Sequence, residues 1–325
     1  MKCISRQITA IILSFVFALS LCGCKKNDFD IPYDINTDIT AYRFESDSTR
    51  VLRPFAENLC VADEDVNISS FDLSSAYSGF VFNRTTGQTI YSKNANMEVN
   101  PASTTKVMTA LLALKYGKLD DILTASANVK FKDSNASKFG FVEGDKATLE
   151  QVLYALLVCS GNDAAVMIAE YVSGSEEAFV KLMNEEAHRL GATNTNFTNP
   201  HGLTDELHKT TAYDLYLIFN EALKYDKFKE IIKSKVYQIS YFNKENSAKK
   251  KDAKTTNGYL GGLTKSPAGV SVIGGKTGYT QAAMYCLILY SINDSSGDEY
   301  VTCVMHSDNG DSLYQNMDAL LLLEN

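Results

Sequence analysis

Hydrophobic and polar positions divide the chain into four regimes. An apolar run over residues 8–21 follows the charged Lys2 and Arg6 and ends at Leu21-Cys22-Gly23-Cys24. Residues 25–75 are polar and acidic without sustained periodicity, which predicts a tether, with one short element of opaque role over 51–60. Two short strand signals follow, over 78–82 and 88–91, around Asn83-Arg84-Thr85-Thr86-Gly87, a hairpin signal. Helical spacing takes over next. Pro101 to Lys106 reads as the first turn of a buried helix whose apolar run is 107–114. Thr148-Leu149-Glu150-Gln151 reads as a capping box in front of Leu149, Val152, Leu153, Leu156 and Leu157. That helix stops at Cys159-Ser160-Gly161-Asn162 and another begins at Asp163. A third runs over 176–190, with Ser175 as N-cap and Gly191 as stop, and 212–225 repeats the pattern. Strand signals return over 236–241, 270–278, 284–292 and 299–305, and a closing helix begins near Asp311 with Leu313, Met317, Leu320 and Leu321 on one face. Strands at both ends and helices between predict an α+β fold: an antiparallel sheet closed by the N- and C-terminal parts, with a helical lobe inserted in the middle.

Length and composition refine this picture. The chain has 325 residues, 45% hydrophobic and 22% charged, ordinary for a globular protein. Its formal charge of -8 argues against nucleic acid as a partner. Residues 1–24 have the charged start, short apolar core and small-residue exit of an export signal, too short to span a bilayer comfortably. The expected layout is a signal over 1–24, a tether over 25–75 and a catalytic body over 76–325. Cys60, Cys159, Cys286 and Cys303 make no disulfide framework and show no metal-ligand spacing. Cys286 and Cys303 oppose each other across the final hairpin, so a bridge there stays open; a register change of one residue would point them to opposite faces.

Ser103 and Lys106 share one face of a helical turn, so a lysine whose pKa is lowered by burial can take the serine proton. Ser-x-x-Lys alone is weak, since Ser247-Ala248-Lys249-Lys250 fits too, in a Lys-rich run read as a solvated loop. Ser160-Gly161-Asn162 sits on a sharp break between helices, suited to pointing polar groups into a cleft. Gly275-Lys276-Thr277-Gly278 ends an apolar strand; its small residues let a substrate backbone lie along the edge, while Lys276 and Thr277 offer a charge and a hydroxyl to a carboxylate. The weight lies in the ordered triple.

That triple resembles the signature of the penicillin-interacting serine enzymes. The wording around it resembles the low-molecular-mass D-alanyl-D-alanine carboxypeptidases, in Tyr91 to Asn96, Pro101 to Lys106, Ser160 to Ala165, Phe197 to Leu203 and Gly275 to Thr280. The likeness covers roughly residue 76 to the C-terminus and implies a β-lactamase/transpeptidase-like fold. It also implies acyl transfer without metal or organic cofactor. Ser103 would be the nucleophile, Lys106 the base and Ser160 a proton relay. Asn162 would hold the substrate amide, Lys276 and Thr277 the terminal carboxylate, and Gly278 would keep the strand edge open. The backbone N–H groups of Ser103 and Tyr279 would hold the oxyanion. The implied substrates are peptidoglycan stem peptides, with β-lactams as inhibitors. Leu21-Cys22-Gly23-Cys24 resembles a lipoprotein box, which implies an extracytoplasmic protein lipidated at Cys24, with Lys25 and Lys26 near anionic headgroups.

Two departures shape the expectation. Many members carry a second strand-rich domain and an amphipathic anchor helix, for which about 45 residues after the Lys-Thr-Gly strand leave no room; the lipid would replace that anchor. The chain also has no Trp to rim a cleft. The leading function is an exported serine D,D-carboxypeptidase acting on stem pentapeptides. The rivals are a β-lactamase and a binding protein without turnover. The β-lactamase is disfavoured in the interval where class A enzymes carry a water-activating loop glutamate. Here that interval has Glu185 and Glu186 on a helix and then Asn199-Pro200-His201-Gly202-Leu203, which resembles the carboxypeptidases instead. His201 is expected to be a packing or hydrogen-bonding histidine, His188, His208 and His306 surface or strand residues, and Cys159 a small buried thiol.

Overall fold

The strand signals on either side of the helical stretch resolve into one sheet. A computed structural model describes residues 65, 66, 68, 73–131 and 136–325, all within the unit Pro54–Asn325. The expected signal over 1–24 with Cys24, the expected element over 51–60 and most of the expected tether over 25–75 lie outside the described residues.

In chain order the elements begin with β1 (Ala76–Asn83), β2 (Gln88–Lys93), a 3-10 turn (Ala102–Thr105), α1 (Lys106–Tyr116), β3 (Ile122–Thr124) and β4 (Lys146–Thr148). Next come α2 (Leu149–Leu157), α3 (Asn162–Ser173), α4 (Glu176–Arg189), α5 (Ala212–Ala222) and α6 (Asp226–Ile232). The chain closes with β5 (Val236–Phe242), β6 (Ala248–Lys254), α7 (Gly258–Gly261), β7 (Val270–Thr280), β8 (Met284–Asn293), β9 (Glu299–Ser307) and α8 (Gly310–Leu321). The main sheet has the order β2-β1-β9-β8-β7 and is antiparallel throughout. It is therefore closed by both ends of the chain, with the helices inserted between, as the sequence pattern implies.

Burial explains the arrangement. The helix α1 is buried from Lys106 through Ala113, so it runs through the centre of the helical lobe. Strands β8 and β9 are buried on both faces, because the lobe covers one and α8 the other, through Leu313, Met317, Leu320 and Leu321. Packing reaches ahead of Ala76: Val66 exchanges backbone and side-chain hydrogen bonds with Ser92, and Leu73 is 1% exposed.

Several local expectations are corrected. Half of the capping box forms: the Thr148 hydroxyl accepts from the Gln151 N–H at 3.3 Å. The Gln151 side chain instead crosses to β5, accepting from the Ser240 N–H at 2.8 Å and donating to the Tyr237 hydroxyl at 3.0 Å. The lysine run 249–251 is not a loop but part of β6, paired with β5 at the edge of a second sheet of order β3-β4-β5-β6. Its alternation is hidden because only Ala253 of that strand is buried, and lysines on an edge discourage further pairing. The short helix α6 buries Phe228, Ile231 and Ile232. Cys286 and Cys303 are both buried free thiols. Cys303 faces Ile288, and the ladder shifts register between Tyr285 and Leu287, which takes Cys286 out of opposition. His208 is not a surface residue; it is 1% exposed.

Candidate active site

Ser103 stands on the 3-10 turn that leads into α1. The turn is tight because Ala102 adopts a left-handed φ of 48°. Three residues on, Lys106 is buried, and its Nζ lies 2.8 Å from Ser103 Oγ and donates to the His201 carbonyl at 2.6 Å. Burial, then repulsion from Lys276, pushes the Lys106 ammonium well below its ordinary range, against a smaller opposing pull from Asp163. A buried amine that gives up its proton readily can accept one from a hydroxyl in contact with it.

The second group sits on the break between α2 and α3. Ser160 takes a left-handed φ of 61°, and the Gly161 N–H bonds back to the Ala155 carbonyl at 2.9 Å. The Asn162 N–H donates to the Ser137 carbonyl at 2.9 Å. Next to it the buried Asp163 carboxylate accepts from the N–H groups of Phe139, Gly140 and Phe141, at 2.9, 2.6 and 2.8 Å. This carboxylate ties residues 137–141 to the start of α3. The Asn162 side-chain oxygen is buried without a partner among the described residues, an acceptor suited to a substrate N–H.

The third group comes from β7, the edge strand of the main sheet. Lys276 is buried, and its Nζ donates to Ser160 Oγ at 3.0 Å and to the Thr277 carbonyl at 2.8 Å. Burial lowers its pKa to about 7. The hydroxyls of Thr277 and Thr256 are 2.5 Å apart. A Cβ on Gly278 would lie 3.0 Å from the Pro101 carbonyl oxygen and 3.1 Å from the Ser103 nitrogen. Glycine therefore lets β7 close on the nucleophile's turn. Tyr279, 55% exposed, packs its ring against Tyr285 at 4.4 Å between centroids.

These groups line one cleft. Two adjoining cavities of about 710 and 420 Å³ share Ser103, Ser137 and Tyr279. The larger adds Asn162, Leu203 and Gln281. The smaller adds Ser160, Thr256, Thr277 and Gly278. Ser103, Lys106, Ser160, Asn162, Lys276, Thr277, Gly278 and Tyr279 are thus brought together; Cys24 lies outside the described residues. A family model described as D-alanyl-D-alanine carboxypeptidase matches residues 66–309, a span that holds all three motifs. The chain belongs to that family.

Among the relatives of this carboxypeptidase-family chain, D-alanyl-D-alanine carboxypeptidase DacF of Bacillus subtilis is 42% identical over 219 residues, covering 65% of this chain and 53% of that protein. This chain therefore spans about half of DacF's length. The D-alanyl-D-alanine carboxypeptidase of Streptomyces sp. strain K15 is 34% identical over 224 residues, covering 66% of this chain and 75% of that protein. The crystal structure of the Streptomyces K15 DD-transpeptidase superposes with a TM-score of 0.70 at 30% identity, over 77% of this chain and 97% of that one. The fold is that of the DD-peptidases.

Sequence reasoning missed the supports. Ser137, Thr256 and Gln281 line the cleft without belonging to a motif. Residues 197–203 brace α1: Lys106 holds the His201 carbonyl, and Thr109 Oγ1 donates to the Pro200 carbonyl at 2.6 Å. His201 itself is buried, accepts from the Leu203 N–H through Nδ1 and has its pKa lowered to about 3, chiefly by burial. It is a packing histidine, as expected.

Proposed function

We propose that the protein is an exported serine D,D-carboxypeptidase that removes the terminal D-alanine of peptidoglycan stem pentapeptides. Ser103 Oγ attacks the carbonyl carbon between the two D-alanines while Lys106 Nζ takes its proton. The developing oxyanion is held by the N–H groups of Ser103 and Tyr279. The C–N bond then breaks, and the departing amine receives a proton through Ser160, leaving an ester on Ser103. Asn162 holds the donor peptide's amide, and Lys276 and Thr277 hold the terminal carboxylate. Water attacks the ester, Ser103 regains a proton and the shortened peptide leaves.

One observation carries this reading: a fully buried lysine amine 2.8 Å from the hydroxyl of Ser103, at the meeting of the two cavities. β-Lactams would acylate the same serine and stay, since the fragment that should depart remains tethered. Export agrees with a wall substrate, and lipidation of Cys24 would hold the enzyme at the membrane. The name of the Streptomyces K15 DD-transpeptidase supports a second reading, in which an amine rather than water resolves the ester. Incubation with a D-Ala-D-Ala-terminated stem peptide that carries a free side-chain amine, and so can serve as donor and acceptor, separates the two. Free D-alanine with the shortened monomer supports hydrolysis; a cross-linked dimer supports transfer; neither product overturns both.

A further inference from the structure

Ser103 is preceded by a residue in a conformation that its own side chain disfavours. Ala102 is a buried non-glycine residue at φ 48°. Such a conformation persists only where its surroundings hold it, and its carbonyl is held from two sides. On one side stands Gly202, at φ 88°, where a Cβ would fall 1.8 Å from the Ala102 oxygen. On the other, Thr105 Oγ1 donates to that oxygen at 2.7 Å.

The hydroxyl of Thr105 has one proton and spends it on Ala102, so it must accept from its other partner, His208 Nε2, at 2.8 Å. The imidazole is suited to that task. Its Nδ1 accepts from the Thr198 N–H at 3.0 Å, which leaves the proton on Nε2. Burial keeps the ring neutral, lowering its pKa to about 4. The backbone is pinned on the same side: Asn100 Nδ2 donates to the His208 carbonyl at 2.9 Å, and Val99 and Thr210 exchange hydrogen bonds at 2.8 and 2.9 Å. A directed chain of donors therefore runs from the Thr198 amide through His208 and Thr105 to the carbonyl just before Ser103.

We propose that His208, acting through Thr105, is a positioning residue that locks the left-handed turn at Ala102 and so holds both Ser103 Oγ and the Ser103 N–H in line for acylation. His208 lines neither of the two cavities. It fixes the direction of the Thr105 hydroxyl, and the hydroxyl fixes the carbonyl. The inference rests on Ser103 being the nucleophile.

The test is a time course of acylation by a fluorescent penicillin over a range of concentrations, which separates the acylation rate constant from the binding constant. Label on wild type at Ser103 establishes the nucleophile independently; no label there removes the proposed function, whatever the relay does. Thr105→Val keeps the shape and removes the hydroxyl, and His208→Ala removes the donor. Each is expected to slow acylation about tenfold to a hundredfold, the scale of a sub-ångström to 1 Å displacement of a reacting group, with binding changed less than about twofold. The double variant should lose no more than the worse single one, because both cut one chain. Thr105→Ser, which restores the hydroxyl, should recover most of the rate. Circular dichroism checks folding; if His208→Ala does not fold, the Thr105→Val and Thr105→Ser pair decides alone. Acylation at the wild-type rate in folded Thr105→Val overturns the proposal. So do multiplicative losses in the double variant, or a loss confined to binding.

Discussion

Gly202→Ala is the substitution for which the structure sets the sharpest magnitude. The new Cβ would lie 1.8 Å from the Ala102 carbonyl oxygen and 2.4 Å from its carbon, both backbone atoms that no side-chain rotation can clear. Either the 199–203 segment or the turn carrying Ser103 must move. Overpacking of this kind costs about 1–3 kcal/mol. Forcing alanine to the left-handed φ of 88° adds roughly 1 kcal/mol. A total of about 2–4 kcal/mol corresponds to a fall in Tm of roughly 4–16 °C for a body of this size. Gly174→Ala supplies the control. Gly174 has φ 79°, but a methyl added there would meet no heavy atom within 4 Å, so it carries only the conformational cost of about 1 kcal/mol. Thermal melts by circular dichroism and penicillin labelling of both variants give the comparison. Gly202→Ala should melt well below Gly174→Ala and label slowly, while Gly174→Ala labels like wild type. Equal melting points and equal labelling rates would refute the close approach and the bracing it implies.

Lys106→Ala should abolish acylation, whereas Lys276→Ala should chiefly weaken binding of carboxylate-bearing peptides; the reverse pattern in single-turnover kinetics exchanges their roles. Because burial lowers the folded pKa of Lys276 from 10.5 to about 7, the unfolded chain holds the extra proton between those values. Wild type should therefore gain stability relative to Lys276→Met as pH rises from about 7 to 10.5, with a slope approaching about 1.4 kcal/mol per pH unit, and lose it again as pH falls. Urea unfolding of both proteins across that window checks the sign. Cys286 and Cys303, buried and with pKa values pushed up by burial, should react with a thiol reagent only after unfolding; rapid reaction of the native protein contradicts their placement. Radiolabelled palmitate should enter the wild-type protein but not Cys24→Ala, and equal recovery of both from the soluble fraction removes the anchor.

What the sequence made legible follows from where information sits along the chain. Long apolar stretches announce themselves in two ways: α2 by the regular spacing of one buried face, and α1, β8 and β9 by near-continuous apolar runs, because they are covered on all sides. The motif residues were legible by their order, and the fold brings all of them to one cleft. Strands β3 and β4 have three residues each, too few for any period, and β6 lies on an exposed edge where lysine replaces alternation. His208 escapes a sequence reading for a different reason. A single histidine followed by Lys209 has no periodic context, and its partner Thr105 lies 103 positions away. The Gln151 side chain likewise abandons its local partner for one on β5, a tertiary bond overriding a helix-start pattern.

The central claim is that Ser103 is the residue acylated, and mass spectrometry of the tryptic peptide from Asn94 to Lys106 tests it most directly. After brief exposure to penicillin, that peptide should carry the drug's full mass on Ser103, the adduct should persist, and Ser103→Ala should carry none while keeping its fold. An adduct on Ser160 or Ser247, or an unmodified protein under conditions that leave it folded, contradicts the account.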